Sequence, residues 1–265
     1  GHSSSPLVYQ DLVIVQGGGR AQTIAFSKQS GALAWRSDVT GIAGYASPIV
    51  ARLNGKDQIV VFNGAGGEAR DGSTPGRVAG LDPATGKRIW ESPWWCELDI
   101  FACTPAVDGG SVFITTGYGG GGCKLVKVSG AEATTLWEHW EDKVAASLHS
   151  DPILLDGYVY CYSGMSTAKG ELQCLELATG KLRWSAGQQV GWGTMTFVDG
   201  HLLCLSNQGD LFLVEPDPKG FWKVTEFRQA IPGIRGHAWT VPVVADGKLY
   251  LRCKERLVCY DLRAH

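Results

Sequence analysis

A short landmark recurs along this chain at a spacing that few folds tolerate: a polar or small pair, a proline, then apolar residues. It reads Ser4-Ser5-Pro6-Leu7-Val8, Ala46-Ser47-Pro48-Ile49-Val50, Cys103-Thr104-Pro105-Ala106-Val107, Ser150-Asp151-Pro152-Ile153-Leu154 and Thr240-Val241-Pro242-Val243-Val244. In the fifth of the six copies Met195 stands where proline would be, and successive landmarks fall 42, 57, 47, 43 and 47 residues apart. A period of this length, kept over six copies, marks a repeat architecture. A second landmark follows each first one. Ala25–Trp35, Gly80–Trp90 and Leu175–Trp184 end alike, with weaker copies at Lys127–Trp137, Val214–Phe227 and Cys259–Arg263. The repeats run approximately over 1–38, 44–93, 101–139, 148–186, 191–229 and 237–265.

Each repeat reads as four strands. The Pro-Ile-Val type segment is a short apolar strand, since proline, which has no N–H for a sheet ladder, is accepted at a strand's first residue. Turns at Asp108-Gly109-Gly110, Asp156-Gly157, Asp199-Gly200 and Asp246-Gly247 follow, and Asp-Gly is a strong hairpin signal. An alternating strand comes next, such as Tyr158-Val159-Tyr160-Cys161. A third strand, a turn of the type Ala178-Thr179-Gly180-Lys181 and a fourth strand ending in tryptophan complete the unit. Glycine there supplies the positive φ that a tight hairpin with a bulge requires.

Such units cannot bury their faces alone. Stacking them around an axis does so, which predicts an all-β protein: one β-propeller domain, 1–265, of four-stranded antiparallel blades. Trp35, Trp90, Trp137 and Trp184 then serve as packing residues between blades. Thirty-six glycines and ten tryptophans against two methionines agree with turns and strands rather than helices. The last repeat ends after its third strand, so the expectation is either a three-stranded blade or a longer parent of seven or eight blades.

Several classes drop out. A net charge of −2 leaves no electrostatic footprint for nucleic acid. No apolar run is long enough for a membrane span, and residues Gly1 to Ser5 do not read as a signal peptide. Of the eight cysteines, Cys103, Cys161, Cys174, Cys204, Cys253 and Cys259 occupy apolar slots and read as buried thiols used as small apolar side chains. Cys161 with Cys174 and Cys253 with Cys259 are the pairs that neighbouring strands would allow to cross-link. No C-x-x-C occurs, which removes zinc-ribbon, redox-motif and c-type haem readings. The glycine runs Gly64–Gly67 and Gly117–Gly122 precede no helix and read as hairpins rather than phosphate loops. Ala65 to Arg77 reads as a polar insertion in the second repeat.

Leu81-Asp82-Pro83-Ala84-Thr85-Gly86-Lys87-Arg88-Ile89-Trp90 and Leu177-Ala178-Thr179-Gly180-Lys181-Leu182-Arg183-Trp184, joined to the Ser-Pro-x-Val and Asp-Gly segments, resemble the pyrroloquinoline-quinone-like (PQQ-like) propeller repeat. The resemblance spans essentially the whole chain and implies fold more than function. It covers quinoprotein alcohol and sugar dehydrogenases, the outer-membrane-assembly lipoprotein BamB and many secreted bacterial propellers. It implies a periplasmic or secreted protein of the cell envelope, with a protein partner or a small ligand such as a sugar. The dehydrogenases carry an adjacent Cys-Cys pair over the quinone and hold calcium with Glu, Asn and Asp. This chain has no such pair, and its three asparagines, Asn54, Asn63 and Asn207, fall in turns or hairpins. The expectation is therefore a binding or scaffold propeller without cofactor. The alternative is a PQQ- and calcium-dependent oxidoreductase.

Loops entering the innermost strands crowd one mouth of a propeller channel. Here they carry His2, Tyr45, Phe101, His149 with Asp151, Trp192, His237 and Trp239. Loops held by a rigid scaffold concentrate function. One reading is an aromatic funnel for a sugar, quinone or peptide, with His149 and Asp151 supplying acid–base or hydrogen-bonding chemistry. The other is a set of side chains that plug the axis. A metal site from His2, His149 and His237 is disfavoured because their repeats are not adjacent. Trp94 and Trp95 are secondary candidates, since adjacent residues of an extended segment point opposite ways and one of the two rings is then free to anchor a partner.

Overall fold

Every landmark proline stands one residue before a strand in the computed structural model, which describes residues 3–17, 23–64, 76–96, 99–119, 121–165 and 170–263. Sheet 1 comprises β1 (Leu7–Tyr9), β2 (Leu12–Gln16), β3 (Thr23–Ser27) and β4 (Leu33–Arg36). Sheet 2 comprises β5 (Ile49–Leu53), β6 (Lys56–Asn63), β7 (Gly76–Leu81) and β8 (Arg88–Trp94). Sheet 3 comprises β9 (Ala106–Asp108), β10 (Ser111–Thr116), β11 (Gly122–Ser129) and β12 (Glu132–Trp140). Sheet 4 comprises β13 (Ile153–Leu155), β14 (Tyr158–Ser163), β15 (Glu171–Glu176) and β16 (Leu182–Ser185). Sheet 5 comprises β17 (Gly193–Val198), β18 (His201–Ser206), β19 (Leu211–Glu215) and β20 (Trp222–Phe227). Sheet 6 comprises β21 (Val243–Ala245), β22 (Lys248–Arg252) and β23 (Leu257–Asp261). Within each sheet the strands follow chain order and pair antiparallel. The described residues contain no α-helix, and no helix long and apolar enough to cross a membrane.

The missing proline has a visible consequence. In sheets 1, 3, 4 and 6 the first strand is only three residues long. With Met195 in place of proline the ladder runs back three residues further, pairing Met195 with Cys204, Thr194 with Leu205 and Gly193 with Ser206. A residue that keeps its N–H lets the strand start earlier. The Asp-Gly turns at 156–157, 199–200 and 246–247, and Asn54-Gly55 as well, take positive φ at both central residues, the twist that suits a two-residue hairpin.

In all five four-stranded sheets the outer hairpin carries one register shift, after Ala25, Gly80, Leu125, Cys174 and Leu213. Trp35, Trp90, Trp137 and Trp184 lie opposite the residue before the shift. In sheet 5 that place belongs to Thr225, not to Phe227, which pairs with Leu211 two residues away. The Val214–Phe227 copy is therefore offset by two residues from the other landmarks. In the second repeat Gly76 and Arg77 already belong to β7, so the insertion ends before them; residues 65–75 lie outside the described residues. The glycine run after Thr116 links β10 to β11, whose first residue is Gly122.

The chain divides into two compact units, residues 1–142 and 143–265. In the first, sheet 2 is packed on both faces. Ile59 and Val61 of β6 join Ile14, Ala25 and Trp35 of sheet 1, while Val60 and Phe62 join Val112, Ile114 and Val128 of sheet 3. Successive side chains of a strand point to opposite faces, so a strand covered on both sides reads as an unbroken apolar run. Sheet 5 plays the same part in the second unit. Leu202 and Cys204 pack with Tyr160, Tyr162 and Cys174 of sheet 4, whereas Leu203 and Leu205 pack with Leu249 and Leu251 of sheet 6. Each fully buried large side chain contributes roughly 1.5–3 kcal/mol over exposure.

The tryptophans fasten these seams. Trp35 donates its indole N–H to the Pro83 carbonyl in the turn of the next sheet, at 2.9 Å, and its ring lies so close to Gly86 that a Cβ there would fall 2.3 Å from it. Trp184 donates to the Asp217 carbonyl of sheet 5 at 2.8 Å. Trp90 instead bonds Gln58 within its own sheet, at 2.7 Å, and presents its ring to the core shared with sheet 3.

All eight cysteines are free thiols. Cys161 lies opposite Gln173 and Cys174 opposite Tyr160, one residue out of step, so the two sulfurs sit on opposite faces. Burial pushes the Cys174 and Cys204 thiols up to about 12 and Cys96 to about 11, which leaves them un-ionised and inert. Cys259 departs from the expected burial: it is exposed, on the outward face of β23, where alternate residues face solvent.

Candidate functional site

The loops that open the innermost strands can be followed residue by residue, apart from His2, which lies outside the described residues. In the first unit, Tyr45 is exposed, and its backbone N–H bonds the Phe101 carbonyl at 2.8 Å, tying the loop before sheet 2 to the loop before sheet 3. Phe101 itself is fully buried and meets Phe62 edge to face, with ring centroids 4.7 Å apart. It belongs to the core between sheets 2 and 3 and offers nothing to a ligand. An aromatic residue in a loop lands inward when, as here, the loop must cross the seam between two sheets.

In the second unit four of the loop side chains come together. His149 lies against Trp192 edge to face at 4.7 Å and against Trp239 at 5.4 Å. His237 stacks flat on Trp239, with ring centroids 5.0 Å apart and planes 10° apart. Burial grades across the cluster. Trp192 is buried, with its Cβ against Gly170, where any side chain would clash. Trp239 is 50% exposed and His237 is exposed.

Both ring nitrogens of His149 are buried and neither has a hydrogen-bond partner. It therefore makes no hydrogen bond to Asp151, and the two do not form an acid–base pair. Burial, with a smaller push from the His237 charge, lowers the His149 imidazole to about 4. At neutral pH it is an uncharged ring with one donor and one acceptor, both unused. A buried polar group left unpaired costs about 1–3 kcal/mol, and such groups in native proteins call for an explanation.

Asn207 holds the cluster together and was not among the residues the loop pattern singled out. Its side-chain oxygen accepts the Trp239 indole N–H at 2.8 Å, its backbone N–H bonds the Trp192 carbonyl at 2.7 Å, and its carbonyl accepts the Ala238 N–H at 3.2 Å. Thr194 adds a bond from its hydroxyl to the Thr240 carbonyl, at 3.0 Å. Asn207 sits in the turn between β18 and β19, and a turn asparagine is common enough that nothing in the sequence marks it. Its role exists only because that turn faces the loops of two sheets.

The secondary pair divides as extended neighbours should. Trp94 is buried and donates its N–H to the Thr116 hydroxyl at 2.9 Å, while Trp95 is half-buried. Both meet Trp140 edge to face, at 5.2 and 5.4 Å. Among the described residues no three His, Cys, Asp or Glu side chains gather to hold a metal ion. The asparagines do not supply the lack: Asn54 is in a hairpin turn, Asn63 is buried at the end of β6, and Asn207 is engaged as above. These residues do not fit a calcium-bound quinone.

Comparison with known proteins places this geometry. The family model described as outer membrane protein assembly factor BamB matches residues 1–186. No curated protein sequence matches the chain. Among solved structures, BamB from Moraxella catarrhalis is similar with a TM-score of 0.57 at 15% identity, over 94% of this chain and 81% of that one. Quinohemoprotein alcohol dehydrogenase from Comamonas testosteroni is similar with a TM-score of 0.62 at 15% identity, over 95% of this chain but 51% of the enzyme. The β-propeller domain of Cps50 (Swd1) from Myceliophteria thermophila gives a TM-score of 0.66 at 10% identity, over 98% and 84%. At these identities the structural likeness speaks for fold: an all-β propeller of antiparallel blades.

Proposed function

The chain belongs to the family of outer membrane protein assembly factor BamB, and from that premise we propose that it is a non-catalytic propeller of the bacterial cell envelope, periplasmic or secreted, whose strand-opening loops bind a protein partner. The observation that carries this is the stacked His237–Trp239 pair, held out to solvent above a buried imidazole with two unused ring nitrogens. Exposed, rigidly held indoles are typical anchors of protein interfaces. The Asn207 bond fixes the ring in place before a partner arrives, which lowers the ordering cost of binding. The proposal carries no cofactor. The sequence has no adjacent cysteine pair, and among the described residues no three His, Cys, Asp or Glu side chains gather as calcium ligands beside a quinone would.

A photo-activated cross-linker placed at position 237 of the full chain, exported to the periplasm of a Gram-negative host, tests the reading. We expect a discrete protein adduct that disappears in the Trp239→Ala variant. Supplying PQQ and calcium with a panel of primary alcohols and aldoses is expected to give no dye reduction. Steady turnover in that assay would establish the dehydrogenase alternative instead.

A further inference from the structure

Sheets 2 and 3 end their outer strands in tryptophan, Trp94 on β8 and Trp140 on β12. With Trp95 they wall a groove of about 260 Å³, completed by Pro93, Lys124 and Glu138. The ring of Trp94 is locked by its bond to Thr116. Trp140, 37% exposed, closes the corner by meeting both neighbours edge to face.

Lys124 gives the groove its chemistry. It lies on β11 and is only 4% exposed, yet its ammonium makes one hydrogen bond, to the Pro93 carbonyl at 3.0 Å. An ammonium has three N–H donors. Among the described residues no carboxylate lies within ion-pair distance, and its cross-strand neighbour Glu138 stands exposed at the rim. Burying a charge with so little compensation is costly, and burial duly lowers the Lys124 amine below its ordinary value, with Glu138 opposing.

Three indoles around a pocket would ordinarily point to a quaternary ammonium ligand. Here the protein's own ammonium already sits 6.0 Å from the Trp94 ring, and a second cation would be repelled at that range. The groove instead combines flat apolar walls, two spare cationic donors in its floor and a carboxylate acceptor at its rim. Its volume falls just below that of pockets for drug-sized ligands, which leaves room for a single ring.

We propose that this groove binds an acidic carbohydrate, with the carboxylate of a uronic acid residue on Lys124, its C–H face on the indoles of Trp95 and Trp140, and a hydroxyl donating to Glu138. This site is separate from the loop cluster and goes beyond the protein-binding role proposed above, so either can fail alone.

Calorimetric titration of the full chain with a galacturonic acid trisaccharide, the matching neutral galactose trisaccharide and benzoate tests it. The acidic sugar is expected to bind at least tenfold more tightly than the neutral one, and benzoate not measurably. Trp140→Ala, at a partly exposed position, should weaken the acidic sugar tenfold or more while the far-ultraviolet spectrum and melting temperature stay those of the parent. Lys124→Met should remove the preference for acidic over neutral sugar. Should that variant not fold, Glu138→Gln at the exposed rim must weaken both sugars severalfold. Equal binding of neutral and acidic sugars, binding of benzoate alone, or no heat with any ligand at millimolar concentration would each overturn the proposal.

Discussion

Trp35 and Trp239 make nearly the same hydrogen bond and do opposite jobs. Each donates its indole N–H to an oxygen some distance along the chain, Pro83 at 2.9 Å and Asn207 at 2.8 Å. Trp35 is 7% exposed, wedged in the seam between sheets 1 and 2, whereas Trp239 is 50% exposed above the loops of sheets 5 and 6. The hydrogen bond sets the direction of a ring. Whether the protein's stability rests on that ring depends on what covers its faces. A seam indole exchanges water for packed side chains, and a displayed indole keeps its water until a partner displaces it.

Substitution of the two rings puts the contrast at greatest risk. Trp35→Ala should destabilise the protein by about 3–5 kcal/mol, as deletion of a large buried ring does, read as a shift of the urea unfolding midpoint. An effect of Trp35→Ala no larger than that of Trp239→Ala would break the distinction.

The buried imidazole gives the next largest effect. His149 takes up a proton near 6.5 when unfolded but only near 4 when folded. Between those values the unfolded chain binds more protons, so this contribution to stability is complete above about pH 6.5 and is lost as pH falls toward 4. The loss amounts to about 3 kcal/mol. Urea titrations at pH 7 and pH 4 on the parent and on His149→Phe check this. The variant should show a correspondingly smaller drop, and an identical drop would mean that the ring is not sequestered.

Asn207→Ala comes third. It strands the Trp239 N–H but leaves both backbone bonds, and should cost about 1–2 kcal/mol. Because the stranded ring regains freedom, the same variant should weaken partner cross-linking at position 237. Loss of stability with undiminished cross-linking would show that Trp239 needs no fixing. Trp239→Ala itself should change stability by less than about 1 kcal/mol while removing the cross-linked adduct, the smallest stability effect and the sharpest functional one.

The architecture was legible because its signals are local. A proline ends a ladder where it stands, and Met195 shows the converse by letting β17 begin three residues earlier. Asp-Gly sets a hairpin by its own φ preferences, and a run such as Ile59-Val60-Val61-Phe62, apolar without alternation, announces a strand covered on both faces. The site was legible only in part. Counting loops picked out His149, Trp192, His237 and Trp239, which meet, and equally Phe101, which is core. The same count passed over Asn207 and treated Asp151 as the partner of His149. Nothing in a loop's sequence says which way an aromatic side chain turns.

The repeat period, the turn chemistry and the alternation of apolar residues follow from backbone sterics and hydrogen bonding within about 50 residues of chain, and these the sequence determined alone. Which rings are buried, which imidazole is left without partners, and that a lysine on β11 would floor a groove walled by tryptophans from two strands of adjoining sheets were decided only by packing. Burial and pairing are properties of surfaces brought together from distant parts of the chain, and no local pattern encodes where those surfaces meet.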